Sequence, residues 1–590
     1  SFRLEGFRFE KDAPSPEQFA DQEAPFIKSW SPGSDYQNRH RPGDPVVIYV
    51  SEPVTPNSVN GDTVKLFADG VEQSVEVQLN GSAIKIQPTE PLKHQVQYSV
   101  MLDGPADTSG NLLATTSLDF NLAPTEQGTP SEQSPLLLTT MPGYPCAKTG
   151  ASPGDDHQGR CAGGKSTDDL LPIAALAKDQ SILVRFSQNM DPATFIPGNT
   201  LNIEKQNDDN SWSPLPASNY DIEVQSRALI IRSVAGWDEG ARYRYTLNDQ
   251  GSLRSMAGLP LQAIPLSQGK EEPGNRTFGT GPVVNYFVAT DKVDELPLPL
   301  RNLPTADANA DLEYIKGLED GSQNGEALPN SIGLTTDENG SVSAINDSTL
   351  VEAANVGCAV GEDCPEDQFI YLTAMLDTAV SSMADDTGRV GVDIFPAVLA
   401  TTSTDVWVSL DTSFVDAFPD FILSVDLEPD EAIPTGPMFM RIRYEEDNEG
   451  NKLAPKGFIF SDENGQLTFE TTLNVYLDAP YLNPSIGPAD LNHNLRSYPI
   501  DDLTIRGPIT FLEDGRMQIS LNNIEPVAVN VEVRGNINIT AENTGGLCAL
   551  PFISGLCGGI ANLAIDANTR IHLVIPPDKL NVTYLSPFTQ

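Results

Sequence analysis

The chain has 590 residues, 82 acidic and 36 basic, for a formal net charge of −46. A surface of that sign repels phosphate backbones, which excludes DNA and RNA as partners. With 39% hydrophobic residues, 46 Gly and 47 Pro, the chain reads as turn-rich and globular, with about four domains and no apolar helix of membrane-spanning length.

Residues 1–23 read as an N-terminal extension. No signal peptide is present, so Ser1 reads as the start of a processed chain, with a lipid anchor on an upstream cysteine as one expectation. Two matching segments follow. Val46 to Val59 reads VVIYVSEPVTPNSV, and Ile182 to Phe195 reads ILVRFSQNMDPATF. Each is an alternating strand, then Ser, then a Pro that ends the strand because it cannot donate to the ladder. The match continues in SAIKIQPTEPLKHQVQYSVMLDG (82–104) and RALIIRSVAGWDEGARYRYTLND (227–249), each strand–turn–strand. The turn Asp107-Thr-Ser-Gly110-Asn111-Leu112 closes the first copy, and Ser255-Met-Ala-Gly258 takes its place in the second.

Strands at this spacing, with no helical period, indicate antiparallel sandwiches. Their order resembles the bacterial Ig-like domains of S-layer and other exported surface proteins. That resemblance implies an Ig-like domain over 24–125 and a second over 136–288, which carries an insertion at 143–178. It implies scaffold and display and no particular chemistry.

An acidic linker or set of long loops is expected over 289–368. A diverged third sandwich is expected over 369–480, because Asp447-Asn-Glu-Gly450-Asn451-Lys-Leu453 echoes the first domain's turn. A C-terminal antiparallel β domain of no recognised family is expected over 481–590, from the alternation of Val527 to Val533 and Ile571 to Ile575. The fold class is therefore all-β: tandem Ig-like sandwiches followed by a further antiparallel β domain.

Six cysteines fall into local pairs, Cys146/Cys161, Cys358/Cys364 and Cys548/Cys557. Such pairs point to disulfides and an oxidising compartment, against the alternative of buried free thiols. Gly159 to Ser166 fits the phosphate-loop pattern G-x4-G-K-[ST], and Gly150 to Gly154 fits G-x-S-x-G around Ser152, with His157 nearby. Neither lies between a strand and a helix, the context each chemistry requires. We therefore expect no catalytic centre.

Asp307, Asn309, Asp311 and Glu313 alternate oxygen donors as calcium loops do, without the glycine and terminal glutamate of an EF-hand. Glu445, Glu446, Asp447 and Glu449 are a second such cluster, and Asp155 with Asp156 a third. Calcium is the one cofactor expected, against the reading of solvated acidic loops. Trp237 is the best exposed aromatic candidate for sugar binding, against a packed sandwich tryptophan. The stretch Leu547 to Ile565 carries no charge. Leu550, Phe552, Ile553 and Leu556 in it form a candidate contact for a second copy, another surface protein or a lipid.

The function expected from sequence is an exported bacterial cell-surface or extracellular structural protein, acting in adhesion or in assembly of a surface layer or filament. The alternatives are an exported carbohydrate-active or other hydrolase with Ig-like accessory domains, and a lipid-anchored binding component of an outer-membrane complex.

Overall fold

The computed structural model describes residues 22–33, 40, 43–93, 96–122, 133–151, 156–225, 227–247, 253–266, 281–291, 295–302, 310, 312, 330–336, 341–347, 349–361, 369–410, 430–482, 492–512, 515–540 and 562–587. It is all-β and divides into two compact units, one of residues 1–128 with 512–515 and one of residues 129–511 with 516–590.

The N-terminal unit is a sandwich of two four-stranded sheets. One contains Ile27–Ser31, Val46–Val50, Ala83–Pro88 and Val75–Asn80; the other contains Val71–Gln73, Val64–Ala68, Tyr98–Leu102 and Thr116–Phe120. Alternation sends Val46, Ile48, Val64, Leu66, Ile84, Ile86, Val100 and Leu102 into the shared core. The Asp107 carboxylate ties its turn by accepting from the Ser109 and Asn111 amides, both at 2.8 Å.

The second unit opens with another sandwich. Its five-stranded sheet contains Ala174–Ala177, Val283–Thr290, Arg242–Leu247, Leu201–Gln206 and Trp212–Pro214. Its four-stranded sheet contains Tyr220–Gln225, Ala228–Ser233, Ile182–Phe186 and Leu137–Met141. Within the insertion, Lys148–Thr149 pairs with Arg160–Cys161 and a disulfide joins Cys146 to Cys161.

Residues 295–585 build one large sheet of twelve strands that closes on itself. Several of these strands are halves of one longer stave, so the closed structure has eight antiparallel staves in chain order. They are Glu295–Asn302 continued by Ser331–Gly333, Phe369–Thr373 continued by Met375–Ala384, Val390–Ile394 continued by Val398–Thr401, Phe439–Ile442 continued by Lys456–Ser461, then Leu467–Asp478, Tyr498–Phe511, Met517–Asn523 and Leu580–Leu585. The eighth pairs back with both halves of the first, which completes an up-and-down barrel. A three-stranded sheet (Val351–Val356, Asp405–Leu410, Asp430–Pro434) and the long hairpin Val527–Thr540/Asn562–Ile575 share the barrel's hydrophobic core.

Three expectations are corrected here. The stretch 289–368 is not all linker, because it supplies the first stave and the strand Val351–Val356. The stretch 369–480 is not a third sandwich, because its strands are barrel staves. No domain boundary falls near 480, because the fifth and sixth staves pair from Thr468 to Leu477. The misleading echo has a local cause. Asp447 accepts from the Glu449 and Asn451 amides, both at 2.8 Å, just as Asp107 does in its own turn. Asp385 and Asp462 do the same two and four residues on, each before a glycine of positive φ. The motif is therefore a turn device reused wherever a chain reversal is needed, and it carries no information about the domain around it.

Candidate ligand-binding site

Period-2 alternation gives every stave an inner and an outer face. In the fifth, Phe469, Leu473, Val475 and Leu477 point inward; in the sixth, Leu503, Ile505 and Ile509; in the seventh, Ile519 and Leu521; in the eighth, Leu580, Val582 and Tyr584. The register confirms the assignment: Ile519 faces Tyr584, Leu521 faces Val582, and Thr471 faces Ile505. The outer partners are polar. Glu470 pairs with Arg506, Thr472 with Thr504, Ser520 with Thr583 and Asn522 with Asn581. A membrane-embedded barrel has the reverse pattern, apolar outside and polar within. The wall of the fifth to eighth staves is thus polar outside and apolar within.

The interior is not completely filled. One cavity of about 40 Å³ lies among Leu376, Ile394, Phe469, Leu473, Ile505 and Val582. A second, of about 70 Å³, lies at the barrel's end, where Ile332, Met438, Leu477 and Ile500 meet Val406 and Ile433 of the three-stranded sheet and Val531 and Leu573 of the long hairpin. Among the described residues no charged side chain lines either. Four threonines do, and three have hydroxyls tied to main chain: Thr401 donates to Thr402 O at 3.0 Å, Thr435 to Gly436 O at 2.8 Å and Thr471 to Lys456 O at 3.0 Å. These three therefore offer little beyond methyl groups to an occupant. Tyr584 is the one tyrosine in the lining; burial pushes its phenol up, so it stays neutral. Taken together the cavities come to about 110 Å³, well below the roughly 300–1,000 Å³ of ordinary small-ligand sites, so a ligand must displace lining side chains to enter. An apolar void of this kind stays dry and favours an apolar occupant.

The wall outside these cavities is braced by the second sandwich. Arg441 donates from Nε to Asp478 at 2.7 Å and from Nη2 to Asp168 at 3.1 Å and Ser497 at 2.9 Å. All three charged side chains are at most 4% exposed. Asp377 of the second stave accepts from Arg185 at 2.8 Å and from Thr139 at 2.5 Å. Asp168 belongs to the disulfide-tied insertion, which explains the phosphate-loop look-alike. Gly159 is required because a Cβ there would stand 2.3 Å from Thr149 O, and the Lys165 amide bonds Ser497 Oγ at 3.3 Å. No helix follows, so Gly159 to Ser166 is a structural hairpin. His157 Nδ1 accepts from the Gly159 amide at 3.1 Å, which gives it a structural role too.

The remaining expected sites are placed as follows. Trp237 is buried, edge-on to Tyr243 and Phe287, and donates to Gln180 O at 2.9 Å, so it is core and not an exposed sugar platform. Cys358 is disulfide-bonded. Ser152, Asp155, Cys364, Cys548 and Cys557 lie outside the described residues, as do Asp307, Asn309, Asp311 and Glu313 and the contact residues Leu550, Phe552, Ile553 and Leu556. Among the described residues no cluster of acidic, histidine or cysteine side chains is arranged to hold a metal. Sequence reading missed the barrel interior, although the signal was present: Leu473, Val475 and Leu477 alternate against Thr472, Asn474 and Tyr476.

His493 stands close to the larger cavity, two residues before its lining residue Leu495. Burial, with Arg496 and Lys165 adding positive charge, pushes its imidazole down to about 4, against a smaller opposing pull from the main chain at Leu482. The unfolded chain therefore takes up this proton first, and stability falls as pH drops from about 6.5 toward 4. The full shift corresponds to about 3 kcal/mol, and partial exposure of the ring reduces this to about 2 kcal/mol. In urea melts at pH 7 and pH 4.5, His493→Asn is expected to lose about 2 kcal/mol less than the parent on acidification.

Comparison with known proteins gives three findings. Residues 21–121 match the family model of the bacterial Ig-like domain. The chain is 32% identical over 565 residues to alkane uptake protein B of Marinobacter nauticus, covering 87% of this chain and 51% of that protein. It thus spans about half the length of this curated relative. Two solved structures of the S-layer protein SbsC match over 88% of this chain, and 58% and 60% of their own, at 9% and 8% identity; both have a TM-score of 0.21, too low to carry an argument.

Proposed function

We propose that this chain is the hydrocarbon-binding part of an exported bacterial uptake system, and that an unbranched alkyl chain occupies the barrel interior. One observation carries the reading: two neighbouring cavities, one within the barrel and one between the barrel's end, the three-stranded sheet and the long hairpin, with no charged side chain among their described lining residues. The name of the relative, an alkane uptake protein, points to the same ligand class. The disulfide Cys146–Cys161 supports an oxidising location outside the cytoplasm. The Ig-like domains act as scaffold, and the binding work belongs to residues 295–585.

The lining also sets the ligand's chemistry. A carboxylate placed there would lose its hydration with no cationic partner, at a cost of several kcal/mol. The ligand class is therefore a neutral hydrocarbon and not a fatty-acid anion. Headspace partition of decane into the purified chain, with decanoate measured in parallel at pH 8, tests this. Saturable uptake of decane, at least about 100-fold tighter than decanoate, and its loss in Leu473→Trp, which fills the smaller cavity, are the expected results. Equal uptake by parent and Leu473→Trp, or none by either, would overturn the reading.

A further inference from the structure

Among the described residues the linings of the two cavities have a single residue in common, Met440. Its position in the barrel is defined on every side. On its own stave, Met438 lines the larger cavity and Ile442 the smaller. Across the wall it faces Leu477 on one neighbour and Leu399 on the other, one from each cavity. The same division runs through the other staves. Ile370 lines the larger cavity and Leu372 the smaller; Leu477 the larger and Val475 the smaller; Ile500 the larger and Leu503 the smaller. The cavities are thus successive levels of one apolar column, and Met440 stands at the step between them.

Resting on the hydrocarbon reading above, we propose that Met440 is the residue that sets the length of chain the barrel accepts, as a movable partition between two binding compartments. A methionine suits this task. Its side chain is unbranched, with three rotatable bonds and a polarizable thioether, so it can swing aside at lower cost than a β-branched or aromatic residue. It is also apolar, so it adds no desolvation penalty when a methylene chain passes. Next to it, Arg441 points to the other face and is locked by Asp478, Asp168 and Ser497. The backbone at this step is held while the side chain at 440 is left to move. Short chains fill one compartment and stop at the thioether. Longer chains must displace it.

Association constants for n-alkanes from hexane to hexadecane test the assignment, measured by headspace partition for the parent, Met440→Ala and Met440→Leu. Each methylene that finds a place in the column strengthens binding about fourfold. The parent is expected to climb at that rate, then level off once the chain reaches Met440. Met440→Ala is expected to keep climbing for several further methylenes, and Met440→Leu to level off where the parent does. A second readout does not depend on the alanine variant folding. With methyl-labelled methionine in the otherwise unaltered chain, the Met440 signal is expected to stay in place for alkanes below the break and to shift for those above it. Curves for parent and Met440→Ala that superpose, or a Met440 signal that responds equally to hexane and hexadecane, overturn the partition while leaving the hydrocarbon reading intact. Failure of every alkane to bind the parent overturns that reading and this one with it.

Discussion

Replacing Arg441 with leucine is expected to cost about 3–5 kcal/mol of unfolding free energy, the usual penalty for leaving a buried charge without its partner. The reason lies in what remains. Asp478 and Asp168 are each 3% exposed, and among the described residues Arg441 is the one cation within ion-pairing distance of either. Burial opposes the guanidinium charge, but Asp478 and then Asp168 raise its pKa well above the ordinary arginine value. Without the guanidinium, two buried carboxylates are left without their shared counter-charge. Asp168 Oδ1 already lacks a hydrogen-bond partner, so the site has little reserve. Urea unfolding followed by circular dichroism measures the loss. Removing all three charges together, Arg441→Met with Asp168→Leu and Asp478→Leu, is expected to recover much of it, because a well-packed apolar replacement avoids desolvation altogether. A loss below about 1 kcal/mol for the single variant would mean that the cluster does not brace the wall.

That brace also marks where sequence reading stopped. The Ig-like pattern was legible over 24–125 because its strands are local, and each pairs with a neighbour a short distance along the chain. The alternation in Val527 to Val533 and in Ile571 to Ile575 was legible for the same reason, and the two segments pair in register as the arms of one hairpin. Barrel closure was not legible. It depends on Arg301 and Asn302 meeting Leu585 and Tyr584, a pairing that no periodicity encodes. The first stave was also disguised by its prolines. ELPLPLRN reads as a loop because proline cannot donate to a ladder. In the barrel it is tolerated because Pro297 and Pro299 pair only with the second stave, while the eighth stave joins from Arg301 onward. The cavities were invisible for a related reason. An apolar alternation announces a core, and whether that core is filled depends on closure geometry and not on composition.

Gly507→Ala is expected to be among the most damaging single substitutions in the barrel. A Cβ on residue 507 would stand 1.6 Å from Ser520 O, 2.7 Å from Ser520 C and 3.1 Å from Leu521 Cα. These are main-chain atoms of the neighbouring stave, so no rotamer change can make room. The ladder between the sixth and seventh staves shows the same crowding. Pairing runs through Ile505–Asn523 and Arg506–Asn522, then resumes only at Ile509–Ile519. In that gap Gly507 and Pro508 still pair with Phe469 and Thr468 on the opposite side. The absent side chain at residue 507 permits this close approach of the two staves. Over-packing a core side chain costs about 1–3 kcal/mol; because backbone must move here, a loss above about 3 kcal/mol is expected. Gly391→Ala is the matched control, since its Cβ would meet nothing nearer than Ser381 Cβ at 4.0 Å. There the reduced entropy of the unfolded chain is expected to leave stability unchanged or raise it by up to about 1 kcal/mol. Equal losses at the two glycines would mean that strand entropy, and not the approach of Ser520, governs residue 507. A large loss at Gly507 alone would identify the point where the barrel is drawn tightest, on the rung of Phe469, which lines the smaller cavity. In that case the glycine that permits closure also fixes the width of the apolar column at that level, and on the hydrocarbon reading proposed above any variant that relaxes it is expected to weaken decane uptake together with stability.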